Sequence, residues 1–74
     1  MVDYETIIPL RLKYLREKFS LSQEEIAKQL KIGQSTYANW EAGRRTPSIG
    51  KIAQLADIYE TSVDLLLGRT DIDK

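Results

Sequence analysis

The chain has no cysteine and no histidine among its 74 residues. A disulfide framework, a thiolate or imidazole metal site and a conventional Ser/His or Cys/His nucleophile are therefore all excluded. Nor does any apolar run approach the length of a membrane span or a signal-peptide core, which leads us to expect a cytoplasmic chain. Internal repeats and low-complexity segments are missing as well. Net charge is the last absence: eleven basic and eleven acidic side chains cancel to zero. At this length a single apolar core is near the lower limit of self-sufficiency, and no covalent or metal staple assists it.

What is present is patterned as helix throughout. Between Leu21 and Arg45 the residues LSQEEIAKQLKIGQSTYANWEAGRR read as two short amphipathic helices joined by a tight turn. Ser22 and Glu25 have capping-box spacing, in which each side chain serves the other's backbone N–H. Ile26, Ala27 and Leu30 then share one face, with Glu24, Glu25, Lys28 and Gln29 turned to water. Lys31, Ile32 and Gly33 form the turn, with Ile32 as its apolar plug and Gly33 at the next N-cap. At 100° per residue, Tyr37 and Trp40 fall on the inner side of the second helix and Gln34, Ser35, Ala38 and Asn39 on the outer side. That outer side is polar but uncharged. Gln and Asn can pair bidentately with adenine, Ser can meet several base edges, and Ala38 lets the helix approach closely. Gly43 ends the helix, and Arg44 and Arg45 leave it as a cationic loop suited to phosphates, or as an ordinary solvated loop.

The remaining segments frame this pair. Thr6 is expected to cap a first helix with Pro9 in its first turn and Ile8, Leu12, Leu15 and Phe19 facing inward. Pro47 and Ser48 start a fourth helix, whose inner stripe is predicted as Ile49, Ile52, Leu55, Ala56 and Tyr59. Ser62 caps a short fifth helix with Leu66 and Leu67, ended by Gly68. Residues 1–5 are expected to be a flexible N-terminal tail, 6–68 one domain, and 69–74 a tail or the start of a linker. Ile58 and Leu65 lie beside the inner stripes, as core edge or as a dimer contact.

The strings RLKYLRE, LSQEEIA, STYANWEAGRRTPS, LAD and SVDLLLGR, in this order and spacing, resemble the Cro and phage-repressor (XRE-like) helix-turn-helix family over roughly Arg11 to Arg69. The resemblance implies an all-α, five-helix, lambda-repressor-like DNA-binding domain with residues 34–42 as the recognition helix. Gln34, Ser35 and Asn39 match its base-reading positions, with Ala38 between them. Gln23 matches a glutamine that touches phosphate and braces the first recognition residue, here Gln34. Thr36, Arg44 and Arg45 match sugar-phosphate positions, and Arg16 with Glu41 matches an ion pair that is either an exposed contact or a partly buried strut. Ser20 and Lys31 depart from the family's habit: glycine or asparagine is usual there, so each must turn left-handed or shift its turn.

The neutral total hides an uneven distribution. Residues 11–51 carry a balance of +5, and residues 1–10 and 52–74 contribute −2 and −3. A basic central segment with acidic ends fits a double-stranded DNA operator as partner, with weak affinity for random sequence and reliance on base contacts and dimerisation. The reading is a sequence-specific transcriptional regulator, as a repressor, working as a homodimer on a pseudo-palindromic site. The alternative is an antitoxin-like module on the same fold that binds a protein regulator. Neither reading involves a cofactor or an enzyme site.

Overall fold

The computed structural model describes residues 3–70. They form five helices, α1 (Tyr4–Lys18), α2 (Gln23–Leu30), α3 (Gln34–Glu41), α4 (Ile49–Ile58) and α5 (Val63–Leu66), as the all-α reading expects. Helix starts follow local chemistry closely. Ser22 Oγ accepts from the Glu25 N–H at 3.0 Å and Glu25 Oε1 accepts from the Ser22 N–H at 2.8 Å, which completes the capping box. Ser48 and Ser62 accept from Lys51 N–H and Leu65 N–H in the same manner.

The first helix begins earlier than the sequence suggests. Asp3, not Thr6, is its N-cap, accepting from Glu5 N–H at 3.1 Å, and the Thr6 hydroxyl donates to Asp3 at 2.9 Å. A carboxylate caps better than a threonine hydroxyl and adds favourable charge at the helix start. Tyr4 and Glu5 are therefore helical rather than part of a tail, while residues 1, 2 and 71–74 of the expected tails lie outside the described residues. Pro9 consequently sits inside the helix, beyond the first turn. Its ring removes the N–H that would have met the Glu5 carbonyl. That carbonyl faces Gly43, where a Cβ would lie 3.9 Å from it and 3.7 Å from Pro9 Cγ.

All five helices end alike. Ser20, Lys31, Gly43, Glu60 and Gly68 are left-handed, with φ of 56°, 58°, 79°, 52° and 72°. In each case the following residue's N–H reaches back five positions, as in Leu21 N to Arg16 O and Ile32 N to Ala27 O, both 3.0 Å. These are Schellman closures, which satisfy the orphan carbonyls of the last turn. Ser20 and Lys31 thus take the left-handed option and leave the turns in register. Replacing Lys31 by glycine is expected to stabilise the domain by about 1 kcal/mol, because glycine pays no Cβ penalty there. Gly68→Ala should have the opposite sign. A Cβ at that position collides with Ile7 Cγ2 and lies 2.9 Å from Ile7 Cδ1. Left-handed strain and overpacking together should cost about 2–4 kcal/mol. Urea denaturation of the two variants checks both signs.

The core is drawn from every helix. Leu12, Leu15, Ile26, Leu30, Tyr37, Leu55 and Leu66 are fully buried, and α1 packs on α3 and α5, α2 on α3 and α4, and α4 on α5. Two expected inner residues fall elsewhere, and one expected edge residue falls inside. Ile49, the first residue of α4, is 70% exposed, while Pro47 just before it is buried. Phe19 follows the last turn of α1 and is 41% exposed, with its ring set against Tyr59 at 5.0 Å. Leu65 is 1% exposed, so it belongs to the core and is not available as a dimer contact, whereas Ile58 is half-buried against the core. Among the described residues no helix is long and apolar enough to cross a membrane.

Candidate nucleic-acid interface

Helix α3 has two unlike faces. Tyr37 and Trp40 are buried and meet edge to face at 5.9 Å, so they are core, as their spacing predicts. Gln34, Ser35 and Thr36 are exposed, Ala38 and Asn39 half-buried, and Arg44 and Arg45 exposed just beyond the helix. Of the expected reading and phosphate-contacting positions, Asn39 and Arg44 are brought into direct contact, with Nη1 3.2 Å from Oδ1. Gln23, half-buried at the start of α2, is directed differently: its amide Nε2 donates to Glu41 Oε1 at 3.2 Å and does not brace Gln34. A fixed carboxylate is a stronger acceptor than the mobile amide of an exposed glutamine, which accounts for the difference.

Glu41 is the centre of the interior scaffold behind this face. Its Oε2 accepts from Arg16 Nε and from the Tyr37 hydroxyl, both at 2.6 Å, and its Oε1 accepts from Arg16 Nη2 at 3.1 Å as well as from Gln23. Arg16 Nη1 also donates to the Leu21 carbonyl at 2.9 Å. The ion pair is the partly buried strut rather than the exposed contact, with side-chain exposures of 14% and 7%. One carboxylate thereby ties α1, the α1–α2 turn, α2 and α3 together and sets the aim of the outer face. Burial opposes the charge on Glu41, but the hydrogen bonds from Arg16, Tyr37 and Gln23 outweigh it and hold the carboxyl below its ordinary range. Burial, reinforced by Glu41, pushes the Tyr37 hydroxyl strongly upward. Burial also raises Tyr59, to about 12, and its hydroxyl has no hydrogen-bond partner among the described residues.

Two members of this scaffold escaped sequence reasoning. Tyr37 stands four residues before Glu41, a spacing at which helical side chains meet, so its hydroxyl contact was available to a closer reading. Lys51 offered no such signal. Its Nζ donates to the Leu30 carbonyl at 2.9 Å, closing the C-terminal end of α2 from twenty-one positions away and fixing α4 against the helix pair.

A short helix braced by its predecessor, with an uncharged polar outer face and an arginine exit, is the arrangement of a helix-turn-helix. The helix-turn-helix family matches residues 12–66. The chain belongs to that family. The resemblance to Cro and phage repressors read from the sequence is borne out by the relatives. The chain is 48% identical over 59 residues to the HTH-type transcriptional regulator AnsR of Bacillus subtilis (strain 168), covering 80% of this chain and 51% of AnsR. It is 36% identical over 64 residues to the HTH-type transcriptional regulator ImmR of the same organism, covering 86% and 50%. To the cryptic phage CTXphi transcriptional repressor RstR of Vibrio cholerae it is 30% identical over 66 residues, covering 86% and 60%. The chain therefore spans about half the length of the curated relatives it matches. These relatives are transcriptional regulators and not enzymes. No solved structure matches the chain.

Proposed function

We propose that the chain is a sequence-specific double-stranded-DNA-binding transcriptional regulator that lays residues 34–42 in the major groove. It acts in the cytoplasm as a homodimer on a pseudo-palindromic site. The observation that carries this reading is the side of α3 away from Tyr37 and Trp40, with Gln34 and Ser35 exposed and Asn39 half-exposed, on a helix whose inner side is tied to α1 through Tyr37, Glu41 and Arg16. Gln, Ser and Asn side chains on such a helix can each hydrogen-bond base edges in the major groove. Thr36, Arg44 and Arg45 flank that surface and hold phosphates, and Gln23, which gives one N–H of its Nε2 to Glu41, contributes the second N–H of that amide as a further donor. Two such helices related by a dyad would enter successive major grooves about 34 Å apart.

Selection of bound sequences from random duplex DNA tests the reading. A recovered palindrome establishes site, symmetry and half-site spacing at once, and no enrichment at low salt overturns it. On the recovered site, Gln34→Ala should weaken binding by about 1–3 kcal/mol and leave affinity for random DNA almost unchanged. Arg45→Ala should weaken both alike, as a phosphate contact does. The repressor assignment is supported by relatives named as repressors, such as RstR, against one named as an activator, BcrR of Enterococcus faecalis. A reporter placed behind the recovered site separates the two by the sign of its response.

A further inference from the structure

Asn39 lies where the polar face of α3 meets its arginine exit. The left-handed Gly43 turns the chain so that the backbone N–H groups of Arg44 and Arg45 both donate to the Asn39 carbonyl, at 2.9 and 3.3 Å. The same turn brings the Arg44 guanidinium to the Asn39 side chain, with Nη1 3.2 Å from Oδ1. A guanidinium can only donate, so the amide atom facing it has to be the oxygen, and the ordinary freedom of an asparagine to present either end is removed. Nδ2 makes no hydrogen bond among the described residues, so both its N–H donors are available.

This polarity changes what Asn39 reads. An unrestrained asparagine pairs with adenine by donating to N7 and accepting from N6. Arg44 takes one of the two lone pairs of Oδ1 and draws the oxygen toward the guanidinium, so the free end of the side chain is the Nδ2 group with its two donors, and adenine's N6 amino group meets them as another donor. Guanine presents two acceptors, N7 and O6, at the same edge. We propose that Arg44 is a positioning residue that fixes the Asn39 amide, so that Asn39 selects guanine over adenine at its base pair. Gln34, which has no such partner among the described residues, keeps the adenine pairing expected from the sequence. The inference rests on α3 being the recognition helix. Only one of the five guanidinium N–H donors of Arg44 is used in this contact, and the others remain for a phosphate.

The test uses the whole chain and its selected site. Asn39→Ala first identifies the base pair concerned, as the one position whose preference flattens. Affinities for the four base pairs at that position are then measured for the parent chain, Arg44→Ala and Arg44→Lys. The parent is expected to favour G·C over A·T by about tenfold. Arg44→Ala should lose that preference or move it to A·T while discrimination at other positions persists, and Arg44→Lys, whose ammonium also donates to Oδ1, should keep it. A parent preference for A·T overturns the proposal. So does an Arg44→Ala variant that keeps the G·C preference and only binds more weakly at every sequence. If Asn39→Ala flattens no position while Gln34→Ala still does, the proposal is overturned and the recognition-helix reading stands, whereas no enrichment of any sequence means that the recognition-helix reading itself fails. Both arginine variants change an exposed side chain, and their thermal unfolding should match that of the parent.

Discussion

Glu41→Ala is expected to destabilise the domain by about 3–5 kcal/mol, the usual cost of removing one partner from a buried charge pair. The loss falls on four hydrogen bonds at once and leaves the Arg16 guanidinium, 14% exposed, without its carboxylate. A domain of this size has only about 5–10 kcal/mol in hand, so the variant should lose a large fraction of its stability and melt at a much lower temperature than the parent. Arg16→Met combined with Glu41→Leu should cost less than Glu41→Ala alone, because no charge is then stranded. The same carboxylate makes stability depend on acid. Its folded pKa lies below its unfolded value, so its contribution is fully present above the unfolded carboxylate pKa of about 4.3 and is lost as pH falls through the folded one. Glu41→Gln should therefore be less stable than the parent near neutrality and fall less steeply in acid. Urea denaturation across pH measures both effects, and a Glu41→Ala loss below about 1 kcal/mol would contradict the hub.

Affinity for the selected operator should fall by about 10³–10⁵ between 50 and 200 mM salt, if a dimer neutralises roughly 6–10 phosphates. The zero net charge does not weaken this expectation. Counterion release depends on the phosphates actually contacted, and the central +5 segment contains the arginines that would contact them. Acidic ends instead lower affinity for random DNA, because the long-range field of the molecule is nearly neutral. Arg45→Ala removes one contact per protomer and should reduce the slope of log affinity against log salt by about 1.8 in a dimer. Fluorescence anisotropy at four or five salt concentrations gives that slope. A slope near zero with binding retained would mean that phosphates contribute little and that the arginine loop lies off the duplex.

How legible these features were depended on how local their causes are. The Ser22–Glu25 box, the Ser48 and Ser62 caps and the inner positions of Tyr37 and Trp40 follow from spacings within one turn or one helix, and each stands as expected. Errors gathered at helix ends. Asp3 displaced Thr6 as a cap, Ile49 is exposed, and Glu60 turned left-handed unannounced, because a periodic pattern does not say where the neighbouring helices stop. Leu65 looked like an edge by periodicity, yet α1 and α4 both pack on so short a helix that little of it is left for solvent.

The site divides in the same way. Sequence by itself determined the helical class, the order of the elements, the polar outer face of α3 and the pairing of Arg16 with Glu41, since periodicity, caps and the resemblance of short motifs are one-dimensional properties. Only the tertiary structure decided that Gln23 serves Glu41 and not Gln34, that Lys51 closes α2, and that Arg44 holds the Asn39 amide. Those choices depend on which donor reaches which acceptor across elements. Hydrogen bonds are effective over a few tenths of an ångström, a scale fixed by packing and not by spacing along the chain.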